Sequence, residues 1–557
     1  MIMRDLQKIA SRRFDLLVIG GGINGACVAW DAAMRGLSVA LIDKGDFGAA
    51  TSAATGRMIH GGIRYLQHLA LGRVKASLHE RIFFLRSAPH LVRPVPFLIP
   101  TYGHGFKGKE VLGLAMTIYD LLAWTEDSKN SRTALPGHKR LSRQETLALE
   151  PHLHADGLTG AIRFYDCQMP FPERLTLAIV LSARQEGAVV LNYVQAKDLL
   201  VNDGRVTGVN VMDILTGRQL TVKADVTVNA AGPWVSSVLK SAGLADTAES
   251  ASRILSKGIH IITRSLTNGH ALALATRHKH SGAWVDRGGR HFFIVPWQGL
   301  SLIGTTNSPF NGAPDDDIVT EDDIHGLIDD VNSVYPSAGL CRDDIRFFYG
   351  GLYPDDPSRP SGTGYQGSRE DNIIDHGVSQ KIQGLISVIG VKYTTARLLA
   401  QKIVDLACRK LARPAKPCRT KSAPVLGGDI PDLKDFVARE SRCWQGMLPE
   451  SQVADLIHGY GTSYTEILDL YGQDPGLAKG ISPEILILKA QVIHAVRREM
   501  AQTLQDIVFR RLPLACVGRP APEVLRGLAR IMAEELGWDD ARIETEVLAV
   551  DARYLAI

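Results

Sequence analysis

No two of the seven cysteines in this 557-residue sequence stand in a CxxC pair. They are scattered at Cys27, Cys167, Cys341, Cys408, Cys418, Cys443 and Cys516, an odd count with no shared spacing. That argues against a disulfide framework and a zinc site; reduced thiols, a cytoplasmic setting and no bound metal are expected. Long apolar runs are missing as well. The best, residues 111–124, is too short to span a bilayer and carries Asp120. Residues 1–14 are polar and charged, so no secretory signal is expected. Excess charge is also lacking. The net formal charge is +4, with no basic tail and no dense Lys/Arg block. A nucleic-acid partner is therefore not expected, whereas a small anionic substrate suits the mild positive balance. There are no internal repeats.

What the sequence does have is a βαβ signature near its start. Residues 14–19, FDLLVI, read as a buried parallel strand. Gly20-Gly21-Gly22-Ile23-Asn24-Gly25 follows as a turn. Residues 26–35 read as a helix closed by Gly36, and 37–42 as a second strand that ends at Asp43 and Lys44. Gly20, Gly22 and Gly25 form a GxGxxG set. The first glycine allows a tight turn, the second lets a diphosphate approach the backbone, and the third lets the helix pack on the strand. The helix start offers N–H groups and a partial positive charge to the phosphates. Asp43 falls where a carboxylate would accept from the adenosine ribose. A dinucleotide cofactor is the expectation.

Two later segments favour FAD over NAD. Residues 227–234, TVNAAGPW, read as a strand running into small residues, bringing Ala230, Gly232 and Trp234 past the same cofactor. Residues 386–403, ISVIGVKYTTARLLAQKI, read as a strand, a turn at Gly390 and a helix. Lys392, Tyr393 and Thr394 lie at that helix start, whose N–H groups suit negative charge on a reduced flavin ring. No separate nicotinamide site is expected, and the substrate itself is expected to supply the electrons.

Elsewhere the pattern predicts helices at 66–88 and 176–186 and strands at 189–193, 196–201 (including Ala196), 205–213 and 225–230. HFFIVPW and LSLIGTT, joined by Gln298-Gly299, read as a hairpin. The proline-containing stretch 413–428 reads as a linker, and nearly everything beyond it as helix. Ser482-Pro483-Glu484 has the cap, the proline and the acid of a helix start.

In order along residues 14–511, several segments resemble the FAD-dependent glycerol-3-phosphate dehydrogenases. They are IGGGINGACVAWDAAMRGLSVALID, TSAATGRMIHGGIRYL, NAAGPW, SKGIHI, IVPW with SLIGTTN, SREDNI, GVKYTTARLLA and VRREMAQTLQDIVFRR. HGGIRYL and the last segment are far more specific than the glycine turn. The resemblance implies an α/β fold: a Rossmann-like FAD-binding domain with an inserted antiparallel β-sheet substrate domain and an all-helical C-terminal domain. The expected boundaries are 1–412 for the FAD-binding domain, with substrate parts at roughly 89–175 and 255–350, a linker at 413–428 and a helical domain at 429–557. It places Thr51, Ser52, Arg57, His60, Gly61 and Gly62 in the loop near the flavin, with Gly351 also at the cofactor. It places Arg64, Tyr65 and His260 in the substrate pocket, and makes Arg369 and Lys392 cations that hold the substrate phosphate or the flavin end. Three places depart from the family pattern: Tyr353 replaces an arginine of a Gly-x-Arg-Pro turn, Asn307 replaces an aspartate, and residues 170–175 replace a more acidic segment.

The implied reaction is oxidation of a secondary alcohol in a small anionic polyol phosphate, glycerol-3-phosphate to dihydroxyacetone phosphate, with hydride passing to flavin N5. His260 is the candidate base, since an imidazole titrating near neutrality suits proton removal from the hydroxyl; a hydrogen-bonded strand histidine is the alternative. Arg64, Arg369 and Lys392 are counted with it as catalytic cations. Tyr353 keeps a second reading open, in which the same fold takes another polyol phosphate, a hydroxy-phosphonate, or a hydroxy or amino acid. Quinone or oxygen is the implied electron acceptor. Residues 106–124 set cations ahead of an apolar helix, compatible with peripheral contact on the inner face of the cell membrane or with core packing. A homodimer is left open.

Overall fold

The computed structural model describes residues 4–555 apart from 69, 105–108, 128–134, 242, 245–254, 277–290, 355–370, 415, 474–476, 478–479, 483–484 and 513. The first strand is Arg13–Ile19, and every residue after Arg13 is buried. Such a strand needs cover on both faces, which is the condition of a central parallel strand. It pairs in parallel with Val39–Ile42 on one side and Gln219–Asn229 on the other. Val189–Leu191 and Leu385–Ile389 extend the parallel set outward, and Asn372–Asp375 closes one edge antiparallel. Between strands one and two runs the helix Ile23–Met34, buried along its whole length except at Asn24. It is sandwiched by the helices Pro172–Gln185 and Ala396–Lys410. Four parallel strands therefore end together, at Gly20, Asp43, Ala230 and Gly390.

A second, ten-stranded sheet carries the other wall of the molecule. It runs in the order Ser308–Phe310, Leu255–Arg264, Leu300–Gly304, His291–Trp297, Ala271–Ala275, Arg93–Tyr102, Leu158–Gln168, Met58–Ile59, with Ile345–Pro354 and Lys139–Ser142 on its flanks. All pairings are antiparallel except that of Ala271–Ala275 with Arg93–Tyr102. The expected hairpin is there, and Gln298 and Gly299 both take positive φ, 51° and 71°. That twist matches the strands it joins.

Helices dominate the C-terminal part: Leu433–Cys443, Glu450–Tyr460, Tyr464–Gln473, Lys489–Glu499, Pro522–Leu536 and Asp540–Leu555. Ser482 does not begin a helix. It closes the strand Gly480–Ser482, which pairs with Ile485–Leu488, and the helix starts only at Lys489; Pro483 and Glu484 lie outside the described residues. The run ILIL pairs better as a strand, and that pairing overrides the local capping chemistry. The predicted 66–88 helix begins later, at Leu71, after a separate 3-10 turn Ile63–His68.

Candidate active site

A cleft of about 1420 Å³ opens where the four parallel strands end, the usual place for a ligand in a doubly wound sheet. At its first end the backbone leaves no room for side chains. Gly20 has φ 103°, and a Cβ there would sit 2.5 Å from the Ala230 carbonyl oxygen. A Cβ on Gly25 would sit 1.8 Å from the Gly20 carbonyl oxygen. Asp43 accepts from the amides of Gly21 at 2.6 Å and Gly45 at 2.8 Å. Burial pushes its carboxyl up to about 6, against the pull of those two amides. Ser52 Oγ accepts from the Ile23 amide at 2.9 Å, and Gly22 caps the helix with no side chain of its own. Lys44 pairs with Asp315 at 2.5 Å and lies 4.0 Å over the Trp234 ring, whose Nε1 donates to the same carboxylate. Ala196, Ala230 and Gly232 line the cleft between these groups. Asn24 packs against Gly390, where an added Cβ would lie 2.1 Å from its Nδ2. Its Oδ1 is buried with no hydrogen-bond partner among the described residues.

The loop after the second strand packs on the second sheet. Thr51 donates to the Leu352 carbonyl at 2.7 Å, and Gly351 faces Ala54 so closely that a Cβ would lie 2.9 Å from its carbonyl oxygen. Arg57 takes φ 56°, and its buried guanidinium donates to Pro170 O at 2.6 Å and to Glu173 at 3.1 Å, over the ring of Trp297. Arg57 thus touches the cleft while most of its bonding is spent on the protein. The His60 amide donates to Thr394 Oγ1 at 3.4 Å, and the Gly61 amide to Asp166 at 2.9 Å. Gly61 and Gly62 serve by packing: a Cβ on Gly61 would lie 1.9 Å from the Tyr119 hydroxyl oxygen, and Gly62 has φ 80°.

At the other end stands His260, on Leu255–Arg264, between Gly304 and Tyr349 of the neighbouring strands. It stacks on the Tyr349 ring at 5.1 Å and is 4% exposed. Neither ring nitrogen has a hydrogen-bond partner among the described residues. Burial, and then the charge of Arg57, push the imidazole down to about 3, so it is neutral at ordinary pH and, contrary to the near-neutral titration expected from sequence, a weak base before cofactor and substrate fill the cleft. This is not a strand histidine satisfied by its neighbours. Lys392 donates to Ser77 Oγ at 2.7 Å and lies 4.3 Å over the ring of Tyr65. Burial draws its ammonium down to about 8, while Asp371 and Asp166 hold it up. Tyr393 shares a hydrogen bond with Thr176 at 2.9 Å. Tyr353 donates to Asn307 Oδ1 at 2.5 Å, so two of the departures from the family pattern touch each other. Tyr65, His260, Tyr353 and Lys392 all line the one cleft. Arg64 lies in the turn Ile63–His68, but its side chain is outside the described residues, as is all of Arg369.

Three groups escaped the sequence reading. Asp46 is buried and takes Arg510 and Arg511 at 2.6 Å each, which bolts the C-terminal part to the loop beyond Asp43. Burial opposes that charge, but the two guanidiniums hold the carboxyl below the usual range. Its partner Arg510 is 464 positions away, so only the segment VRREMAQTLQDIVFRR hinted at a role. Arg81 and Asp166, 3.0 Å apart and buried, support Gly61 and the surroundings of Lys392. Tyr349 donates to the Thr55 carbonyl and backs His260.

A family model described as FAD dependent oxidoreductase matches residues 15–406. A second, the C-terminal domain of alpha-glycerophosphate oxidase, matches residues 418–543. A Synechocystis protein named glycerol-3-phosphate dehydrogenase is 35% identical over 98% of this chain and 97% of its own. The aerobic glycerol-3-phosphate dehydrogenase of Staphylococcus aureus is 30% identical over 97% of this chain and 94% of its own. Among solved structures, the glycerol-3-phosphate dehydrogenase of Bacillus halodurans complexed with FAD aligns with a TM-score of 0.77 at 25% identity, covering 98% of this chain and 96% of that one. The L-alpha-glycerophosphate oxidase of Mycoplasma pneumoniae shares the fold over 74% of this chain and 99% of its own, with a TM-score of 0.53 at 17% identity.

Proposed function

The chain belongs to the FAD-dependent glycerol-3-phosphate dehydrogenase family, and from that premise we propose that it oxidises glycerol-3-phosphate to dihydroxyacetone phosphate. The observation that carries the reading is a buried, neutral and unpartnered His260 in the same cleft as the Lys392 ammonium. The residues fit FAD: side-chain-free backbone at Gly20 and Gly22, a carboxylate at Asp43, and, in the cleft lining, Asn24 with a buried, unsatisfied Oδ1. When bound, FAD supplies the hydride acceptor. His260 takes the hydroxyl proton as the carbinol hydride leaves, becoming imidazolium inside a wall stacked on Tyr349. Lys392 binds the anionic end of the substrate, with Tyr65 beneath it. Arg64 and Arg369 join it on the strength of the resemblance. Positioning of alcohol, base and cofactor supplies much of the rate.

The acceptor in this reading is a quinone. Ile63, Leu66, Ile99, Leu112 and Ala115 make one wall of the cleft apolar. The helix Lys109–Asp127 behind it exposes Leu114, Ile118 and Leu121, by 63%, 39% and 59%, on one stripe. Such a stripe suits peripheral contact with a membrane surface. No helix among the described residues is long and apolar enough to cross one. A second reading, another anionic or zwitterionic substrate on the same fold, is favoured by Tyr353 in the cleft wall, a neutral side chain that donates to Asn307.

Anaerobic titration of the purified yellow protein decides between them. Bleaching of the flavin band by glycerol-3-phosphate is the expected result. Bleaching by a different alcohol or amine, and not by this one, would move the assignment to the second reading.

A further inference from the structure

Lys392 lines the main cleft on a flexible four-carbon stem, so an ammonium fixed in one place there needs holding. The holder comes from the helix Leu71–Ser87. Ser77, Glu80 and Arg81 stand three and four positions apart and so share one face of it. Each engages a different segment. Glu80 accepts from Arg397 Nε at 2.8 Å, both groups buried, which ties this helix to Ala396–Lys410, the helix that Lys392 precedes. Arg81 pairs with Asp166 at 3.0 Å. Ser77 accepts from Lys392 Nζ at 2.7 Å.

Ser77 is fully buried, and a buried hydroxyl needs a partner for its hydrogen. Its Oγ–H donates to the Arg73 carbonyl, one turn back, at 2.8 Å. The oxygen lone pairs are left for the ammonium, which can only donate. Alanine suits a helix interior better than serine, so helix formation does not account for this hydroxyl and its acceptor role does. Gly62 keeps the place clear: a Cβ there would lie 3.2 Å from Ser77 Oγ and 2.7 Å from the Tyr65 ring. Lys392 Nζ is held from two sides, by Ser77 Oγ and by the Tyr65 face 4.3 Å away. An ammonium has three N–H donors, and Ser77 Oγ is its one hydrogen-bond acceptor among the described residues. Donors remain for an anion in the cleft.

We infer that Ser77 is a positioning residue for the Lys392 ammonium, and that through this contact it sets how strongly the main cleft holds an anionic substrate. The inference rests on the assignment of Lys392 to the substrate's anionic end. The contact is made before any ligand arrives, so the freedom of the long side chain is lost on folding and not on binding. It also favours the charged form of Lys392. Asp371 and Asp166 act in the same sense, against burial and the like charge of Arg73.

Ser77→Ala in the FAD-loaded enzyme is the test. The variant should fold, since alanine is the better helix former. At pH 7, KM for glycerol-3-phosphate should rise by roughly 3–10-fold with kcat within about twofold, the loss of one hydrogen bond that water partly replaces. The pH at which affinity fades should fall from about 8 by roughly one unit. In a Lys392→Met background Ser77→Ala should change neither quantity. A mere packing defect would raise KM without moving the pH midpoint and would persist beside Met, and either result overturns the inference. A second readout needs no substrate. The Nζ signal of isotope-labelled Lys392 in nuclear magnetic resonance, identified by its loss in Lys392→Met, should titrate near 8 in wild type and roughly one unit lower in Ser77→Ala. An unmoved midpoint overturns the positioning role. A moved midpoint with KM unchanged in Lys392→Met would sink the anion-site assignment and leave the Ser77–Lys392 link standing, so the two can fail separately.

Discussion

The two ends of the cleft are built in opposite ways. The end proposed for the diphosphate comes from one short stretch, Gly20 to Ser52, and it is defined by what is missing: side chains at Gly20 and Gly25 would collide with backbone. The end proposed for the substrate gathers Tyr65, His260, Tyr353 and Lys392 from four distant places along the cleft, and on that proposal it works by what those side chains are. Backbone geometry cannot be changed by degrees. Side-chain chemistry can be retuned one group at a time, which is how one fold comes to serve several substrates. The first end should therefore fail all at once under substitution, and the second in graded, chemically specific ways.

Gly25→Ala should have the largest effect. Its Cβ would lie 1.8 Å from the Gly20 carbonyl oxygen, and backbone cannot step aside as a flexible side chain can. The strain is ~3 kcal/mol or more, placed where helix meets strand. The expected outcome is protein that purifies without FAD, read from its flavin-to-protein absorbance ratio. Full flavin content in this variant would erase the contrast between the two ends. His260→Gln should come next, with flavin retained and turnover down by ~10²–10⁴-fold, the usual worth of a general base. Because burial holds the imidazole near 3, wild-type kcat/KM should stay free of a His260 inflection on acidification from pH 7 to 5. Stability runs the other way. The folded value lies below the ordinary 6.5, so the unfolded chain binds the proton first. Stability tied to His260 is complete above pH 6.5 and drains as the pH falls toward 3. A kcat/KM inflection near 6.5 that vanishes in the Gln variant would refute the buried-base assignment.

Lys392→Gln should follow, raising KM for an anionic substrate by roughly 10–100-fold through loss of one buried charged partner. Burial holds its ammonium near 8, so wild-type affinity should weaken as pH rises through about 8. Its folded value lies below the ordinary 10.5, so stability tied to it grows with pH between about 8 and 10.5. Lys392→Arg should flatten the affinity profile, since arginine keeps its charge across that range. An unchanged KM in the Gln variant would remove Lys392 from the anion site.

The same contrast explains what could be read in advance. The first βαβ unit was legible because its constraints are local: an apolar run, three glycines at fixed spacing and an acid after the second strand. The hairpin through Gln298-Gly299 was legible for the same reason. The start assigned to Ser482 failed because a strand pairing, invisible to capping rules, took the residues beyond it. His260 could be named from the resemblance, yet its lack of partners depends on Gly304 and Tyr349, which arrive from strands 44 and 89 positions downstream. Asp46 could not be found at all, since nothing beside it announces Arg510. Arg57 was placed at the cofactor from its loop, and the structure turns its guanidinium toward Glu173, because a buried cation takes the nearest buried carboxylate.

The smallest effect is expected where the substrate end departs from its relatives. Tyr353 and Asn307 were noted separately in sequence, and the structure joins them at 2.5 Å. Tyr353→Phe removes that donation and keeps the ring, costing ~1 kcal/mol, or roughly fivefold in KM for the true substrate. The comparison sharpens with a cycle. If the pair acts as one unit, Tyr353→Phe and Asn307→Ala should each cost about the same, and the double variant little more than either. Additive losses would mean that the two residues face the substrate independently. Flavin content should not move in any of the three, since this wall is made of side chains and the dinucleotide is held by backbone. Loss of flavin in Tyr353→Phe would show that the two ends of the cleft are mechanically one.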